Sequence, residues 1–155
     1  MNLQTFKIEW AIPEDEQKWL KQHCIGKTLN FPCGQSTIGY RADIDKTVYP
    51  DKIANLNNPL KYFTPWSFDT VLCDPPYFFY SKFKWLQDLK KIARKRLILC
   101  TPAIWVYLGR KTWKRRIFAI SHGKLFMKIY QIFDRTNQPL TIWLDFSNLV
   151  QKNGD

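Results

Sequence analysis

No stretch of this 155-residue chain is apolar for long enough to cross a bilayer. Its longest charge-free run, between Arg96 and Arg110, is 13 residues, against the roughly 20 that a spanning helix needs. No apolar signal segment is expected either, because Lys7, Glu9, Glu14, Asp15, Glu16 and Lys18 interrupt the first twenty positions. There is no internal repeat, Ser/Gly linker or biased tract, so the expectation is one domain over 1–155. The four cysteines, Cys24, Cys33, Cys73 and Cys100, show no C-x-x-C pairing and no histidine at zinc-ligand spacing. Three lie in or beside apolar runs, where free cysteine behaves as a small hydrophobe. His23 and His122 are isolated and read as ordinary surface or half-buried residues. These absences predict a soluble protein of a reducing, cytoplasmic compartment, without disulfides, metal site or membrane partner.

What is present is aromatic and basic. Hydrophobic residues make up 45% of the chain and aromatics 16%, which excludes disorder. The net charge of +11 is concentrated. Between Lys82 and Arg116 lie twelve basic residues and a single acid, Asp88, while the rest of the chain is neutral. One basic face on a neutral body predicts a polyanionic partner, most often nucleic acid. The candidate contacts are Lys82, Lys84, Lys90, Lys91, Arg94, Arg110, Lys111, Lys114 and Arg115. The competing reading is a solvated helix face, with an anionic membrane surface as a weaker third.

Local patterns predict the elements. Pro13 followed by Glu14, Asp15 and Glu16 marks a helix start, and Gly26 a helix stop. Short strands fit 27–31, 39–44 and 52–56, and a buried strand fits 68–73. From Ser81 the residues Trp85, Leu86, Leu89, Ile92 and Ala93 recur at helical spacing with Lys84, Lys91 and Lys95 opposite. The apolar run 97–100 reads as a strand buried on both faces. A basic helix is expected over 112–120, then two β-rich runs, 125–133 and 140–146, which would form an antiparallel hairpin at one edge. The fold class this predicts is α/β, a sandwich around a mostly parallel sheet.

One motif carries chemistry. Asp74-Pro75-Pro76-Tyr77 follows the predicted buried strand at its carboxyl end, where ligands gather in open α/β sheets. Two prolines cannot extend a central strand, and they fix the direction of the carbonyls around them. An acceptor carboxylate, an aimed carbonyl and an aromatic ring therefore fall within four residues. The bland alternative is a Pro-rich turn with a capping Asp and a packing Tyr.

These residues resemble the S-adenosylmethionine-dependent amino-methyltransferases that act on nucleic-acid bases, whose signature is (Asp/Asn/Ser)-Pro-Pro-(Tyr/Phe/Trp). Their cofactor loop is similar to the segment Leu29-Asn30-Phe31-Pro32-Cys33-Gly34-Gln35-Ser36-Thr37. The resemblance covers about 27–102. It implies a Rossmann-like methyltransferase sandwich, with Asn30, Pro32, Cys33 and Gly34 at the cofactor. Asp43, or failing it Asp45, would face the ribose hydroxyls, and Asn55 the adenine. It also implies that Asp74 and the Pro75 carbonyl accept the two hydrogens of an exocyclic amine, so that its lone pair turns toward the methyl donor. Tyr77 would stack on the target base, flipped out of any duplex. The partner expected is DNA before RNA, and adenine N6 is the first target.

The sequence departs from that pattern in three places. Gln35 stands where the family usually has a second glycine, and Asn30 where an acid is common. Only nine residues separate Gly34 from Asp43, so the first crossover helix is expected to be missing or reduced to a turn. No room remains for a target-recognition domain, which leaves that role open to a partner protein. Trp10, Trp66, Trp105 and Trp113 read as core or rim packing before substrate surface. Two hypotheses follow. An intact Asp74 and Pro75 favour the enzyme, on DNA or alternatively RNA, whereas the shortened cofactor half favours a catalytically inactive nucleic-acid-binding protein of the same fold.

Overall fold

The structure is a computed structural model, and it describes residues 12–76, 84–101, 112–122, 126–135 and 143–144. Helix α1 (Glu14–His23) opens the described part, with Pro13 at its N-cap and three acids in its first turn. That arrangement suits the positive end of the helix. The helix ends where Cys24 turns extended and donates its N–H to Leu20 and Lys21 carbonyls. Gly26 lies beyond the cap, at φ +59°, where a Cβ would sit 2.3 Å from Asp69 Oδ2. Only glycine fits that close turn.

Strands β1 (Thr28–Asn30), β2 (Tyr40–Asp43), β3 (Lys52–Ile53) and β4 (Phe68–Cys73) follow, all paired in parallel. Single 3-10 turns, Lys46–Val48 and Pro59–Lys61, stand where crossover helices would otherwise be. No helix lies between β1 and β2, as the nine-residue spacing requires. Helix α2 (Lys84–Ile92) then leads into β5 (Ala93–Thr101), parallel to β4. The chain closes with β6 (Trp113–His122), β7 (Phe126–Arg135) and β8 (Trp143–Leu144). The strand order is β3-β2-β1-β4-β5-β7-β6-β8. Strand β7 runs antiparallel to both its neighbours, β5 and β6.

This is the expected α/β fold, a Rossmann-like sandwich with a mostly parallel sheet and an antiparallel hairpin toward one side, and its first crossover helix is replaced by a turn. Three expectations fail in detail. The segment 112–120 is strand β6 and not a basic helix, and it is β6 that forms the hairpin with β7. The run 140–146 contributes β8, whose register is parallel to β6. Residue Ala93, expected to extend α2, is instead the first of β5.

Both faces of the sheet are covered. Helix α1 places Leu20 against Leu72, Ile98, Phe118, Tyr130 and Ile132. Helix α2 places Trp85, Leu86, Leu89 and Ile92 against Leu29, Val71, Leu97, Leu99 and Phe133 on the opposite face. The alternation of Leu97 and Leu99 with Ile98 and Cys100 between these clusters is the two-residue period of a strand. Each fully buried large side chain contributes roughly 1.5–3 kcal/mol. That burial holds α2, whose nine residues would be marginal alone.

The α2–β5 corner is fastened by Arg135. Its guanidinium lies 4.5 Å from the Trp66 ring and 4.3 Å from the Trp113 ring, and it donates to the carbonyls of Lys90, Ala93 and Arg94. Trp113 is therefore core, while Trp66 is half-exposed at φ +61°; Trp10 and Trp105 lie outside the described residues. No helix among the described residues is long and apolar enough to cross a membrane.

Candidate active site

Four parallel strands deliver the sequence-derived candidates to one end of the sheet. Strand β1 ends on Asn30 and its loop runs on through Ser36, β2 ends on Asp43 with Asp45 in the turn beyond, Asn55 follows β3, and Asp74, Pro75 and Pro76 follow β4. Backbone bonds tie these segments to the sheet: Phe31 N–H donates to Leu72, Cys33 N–H to Ala42, and Ala54 N–H to Asp43. The β1 loop is thus anchored on both of its strand neighbours.

Side chains hold this loop in place of a helix. Asp43, buried, accepts from the Gly34 N–H at 2.9 Å through Oδ2 and from the Asp45 N–H at 3.0 Å through Oδ1. Asn30, also buried, donates to Ser36 Oγ at 3.0 Å. Arg41 donates to the carbonyls of Ser36, Gly34, Val48 and Tyr49. Gly34 sits at φ +48°, where a side chain is disfavoured. Pro32 is half-buried beside it. The Cys33 thiol donates to the Gly34 carbonyl. Burial, with Asp43 adding to it, pushes that thiol up to about 11, so it is an inert packing group.

The other candidates have local roles. Asp45 is exposed and caps the 3-10 turn, accepting from both the N–H and the hydroxyl of Thr47, and those bonds lower its pKa. Asn55, half-buried, accepts from the Asn57 N–H in a tight turn. Of the two candidates for the ribose, Asp43 sits within the loop framework and Asp45 on its rim.

Asp74 stands apart. It is half-buried, the proline after it is buried and Pro76 is exposed. Burial raises its pKa; the cation of Lys128 and a hydrogen bond from the Cys100 thiol oppose that rise, and Glu16 adds to it. Lys128 Nζ lies 3.9 Å from Asp74 Oδ2 and 3.2 Å from Glu16 Oε1. The Tyr130 hydroxyl donates to the same Glu16 oxygen. Sequence reasoning missed Glu16, Lys128 and Tyr130, because residues 112 and 114 positions apart carry no spacing signal. Tyr77 lies outside the described residues.

The basic window does not form one continuous helix face. Lys84 begins the described part of α2, the element that follows Asp74-Pro75-Pro76, and pairs with Asp88 at 3.1 Å. Lys90 and Lys91 occupy the last turn of α2, Arg94 the start of β5, and Lys114 and Arg115 the start of β6. The β4–β5 register pairs Cys73 with Leu99. Asp74 is therefore level with Cys100, and Arg94 lies six strand residues, roughly 20 Å, from that level. Arg94 and Lys95 both pair with Asp69, at 2.7 and 3.2 Å. Arg94 and the Lys27 N–H hold that carboxyl down at about 2. Arg115 donates to Gln131. Lys82, Arg110 and Lys111 lie outside the described residues. Most of the described window thus gathers at the amino end of the parallel strands, away from Asp74.

His23 is half-buried, its Nδ1 2.8 Å from the Trp19 carbonyl, and burial lowers its pKa. Among the described residues no group of three or more His, Cys, Asp or Glu is placed to hold a metal ion.

No protein-family model matches the chain, and no curated protein does. Among solved structures, the chain is similar to the crystal structure of a predicted O-methyltransferase, protein Atu636 from Agrobacterium tumefaciens. The TM-score is 0.43 and the identity 12%, over 94% of this chain and 69% of that one.

Proposed function

We propose that the chain transfers a methyl group from S-adenosylmethionine to an exocyclic amino group of a nucleic-acid base, adenine N6 in DNA first. The observation that carries this reading is the position of Asp74-Pro75-Pro76. They leave a fully buried β4 at the carboxyl end of the sheet, one strand from the loop after β1.

The residues around that loop suit a cofactor of this charge. A dinucleotide would set its pyrophosphate at a helix N-terminus, and no helix follows β1. What stands there instead is three carboxylates, Asp43, Asp45 and Asp74, which outnumber the two cations beside them, Arg41 and Lys128, and this favours a cationic ligand over an anionic one. Gly34, Cys33, Pro32 and Asn30 would hold the cofactor along the loop, with Asp43 and Asn55 at its ribose and adenine. S-adenosylmethionine supplies an electrophilic methyl group on its sulfonium. Asp74 accepts one hydrogen of the base's amino group and the Pro75 carbonyl the other, which withdraws the nitrogen lone pair from conjugation and orients it.

Asp74→Ala should lower turnover about a hundredfold or more, the usual cost of one transition-state hydrogen bond. Asp74→Asn keeps one carbonyl oxygen and should retain more activity. The assay is transfer of a tritiated methyl group to DNA and, separately, to RNA, with the product nucleosides identified by mass. Equal activity in wild type and both variants would make Asp74 a turn cap and end the proposal. The second reading, an inactive nucleic-acid-binding protein of this fold, is favoured by the missing β1–β2 helix. It is tested by calorimetry with S-adenosylmethionine, where it requires no heat at millimolar ligand.

A further inference from the structure

The cluster behind Asp74 is built from four distant elements. Helix α1 contributes Glu16, β7 contributes Lys128 and Tyr130, β5 contributes Cys100, and Asp74 stands at the end of β4. Register explains the convergence. Cys100 pairs with Tyr130 and Thr101 with Ile129, so Lys128 falls one residue beyond the last β5–β7 pair, while Cys73 opposite Leu99 sets Asp74 level with Cys100. Cys100 and Tyr130 share the face that α1 covers, and Lys128, two residues before Tyr130, points the same way.

Lys128 keeps only 14% of its side chain exposed, and Glu16 none. An ion pair between α1 and β7 needs no third member. Yet Lys128 also lies 3.9 Å from the carboxylate at the mouth of the site. The proposed chemistry demands an acceptor-only carboxylate in a half-buried position, where desolvation favours the protonated form that would donate instead. A cation behind it corrects this. We propose that Lys128 is a positioning residue, which holds Asp74 ionised with one oxygen turned outward, and that Glu16 and Tyr130 fix Lys128 for that purpose.

This role rests on the reading of Asp74 as the acceptor of the amino group. The groups facing Asp74 are Lys128 and Tyr130 from β7, Cys100 from β5, Glu16 from α1 and the preceding Cys73 of β4. Of these, Lys128 is the cation. Burial opposes its charge, but Asp74 and Glu16 together push its pKa up, so it stays protonated across the working range.

The test reads Asp74 directly. Carboxyl carbon-13 NMR titration, with the Asp74 signal assigned by its loss in Asp74→Asn, is run on wild type, Lys128→Met, Lys128→Arg and Glu16→Gln. The pH profile of methyl transfer is measured in parallel. Lys128→Met should move the Asp74 titration, and the acid limb of activity, up by about one pH unit, the size expected for a lost countercharge within about 4–6 Å. Lys128→Arg should restore both. Glu16→Gln removes a like charge and should move the titration down, and this opposite sign is one that simple loosening of the α1–β7 contact does not produce. An Asp74 titration unmoved by Lys128→Met, or moved the same way by both variants, overturns the proposal. If Lys128→Met fails to fold, Lys128→Gln, which keeps a polar end beside Glu16 but no charge, is read in its place: the same upward shift supports the proposal and its absence refutes it. A wild type that transfers no methyl group, yet shows these opposed shifts, loses the reaction and keeps the electrostatic linkage.

Discussion

Asp43 should behave as a clasp on the β1 loop, and its removal should loosen that loop measurably. Asp43→Ala strands two N–H groups, that of Gly34 at 2.9 Å and that of Asp45 at 3.0 Å. Gly34 is half-buried, so its N–H loses a charged acceptor with partial rehydration, a cost of roughly 1–3 kcal/mol. Asp45 is exposed, and water replaces most of what its N–H loses, leaving roughly 0.5–1 kcal/mol. The expected destabilisation is therefore about 1.5–4 kcal/mol in urea denaturation, with an unchanged slope. Asp43→Asn keeps one acceptor oxygen but turns an NH2 toward the other donor, and should lose about half as much as Asp43→Ala. Amide exchange reports the cause: Gly34 should exchange faster in both variants, while the core amides of β4 follow only the change in global stability. S-adenosylmethionine affinity should fall alongside, because the loop proposed to hold the cofactor is no longer fixed. A fall in affinity with stability and Gly34 exchange both unchanged would refute the clasp and leave Asp43 as a ligand contact alone.

Two further predictions follow from the charges. Asp69 has a folded pKa of about 2, below its unfolded value, so its contribution to stability is complete above about pH 4 and is lost as pH falls toward 2. The stability gap between wild type and Asp69→Asn should be constant from pH 7 to 4 and narrow below; a gap that persists at pH 2 would mean that geometry, not charge, sets the contribution. If Lys90, Lys91 and Lys114 contact phosphates, nucleic-acid affinity should fall steeply with salt, and reversing all three charges should flatten the log–log slope by about 0.9 per lost contact on duplex DNA. An unchanged slope would make that end of the sheet a solvated surface.

The readable parts of the chain were those whose cause is local. Strand β4 is a short β-prone segment closed by Asp74 and two prolines, and α2 shows its buried stripe in four residues, Trp85, Leu86, Leu89 and Ile92. The missing β1–β2 helix was legible as a count of residues. Strand β6 was not legible, because Trp113, Ile117 and Ile120 fit a helical spacing as well as a strand. What fixes 113–122 as a strand is its pairing with β7, including Arg116 on Asp134 at 3.0 Å, a partner 18 residues away. The same limit hid the charges behind Asp74, where Glu16 and Lys128 meet only because α1 packs across the sheet on β7. The basic window looked like one surface in sequence; a helix that runs back along the sheet carries most of it to the far end.

The corner at Ile92 and Ala93 has a bearing on which insertions and deletions this fold can accept over evolutionary time. Helix becomes strand there with no residue between, under the guanidinium of Arg135. One added residue would rotate the register of α2 by about 100° or turn the inward side chains of β5 outward, and either change would invert an apolar face. The nine residues from Phe31 to Gly39 face no such constraint, since side-chain bonds rather than a helix register hold them. Length variation among descendants of this chain should therefore collect between β1 and β2, beside the proposed cofactor, and be absent between α2 and β5. A change in ligand preference is thus open to this fold through loop length alone, without any repacking of its core.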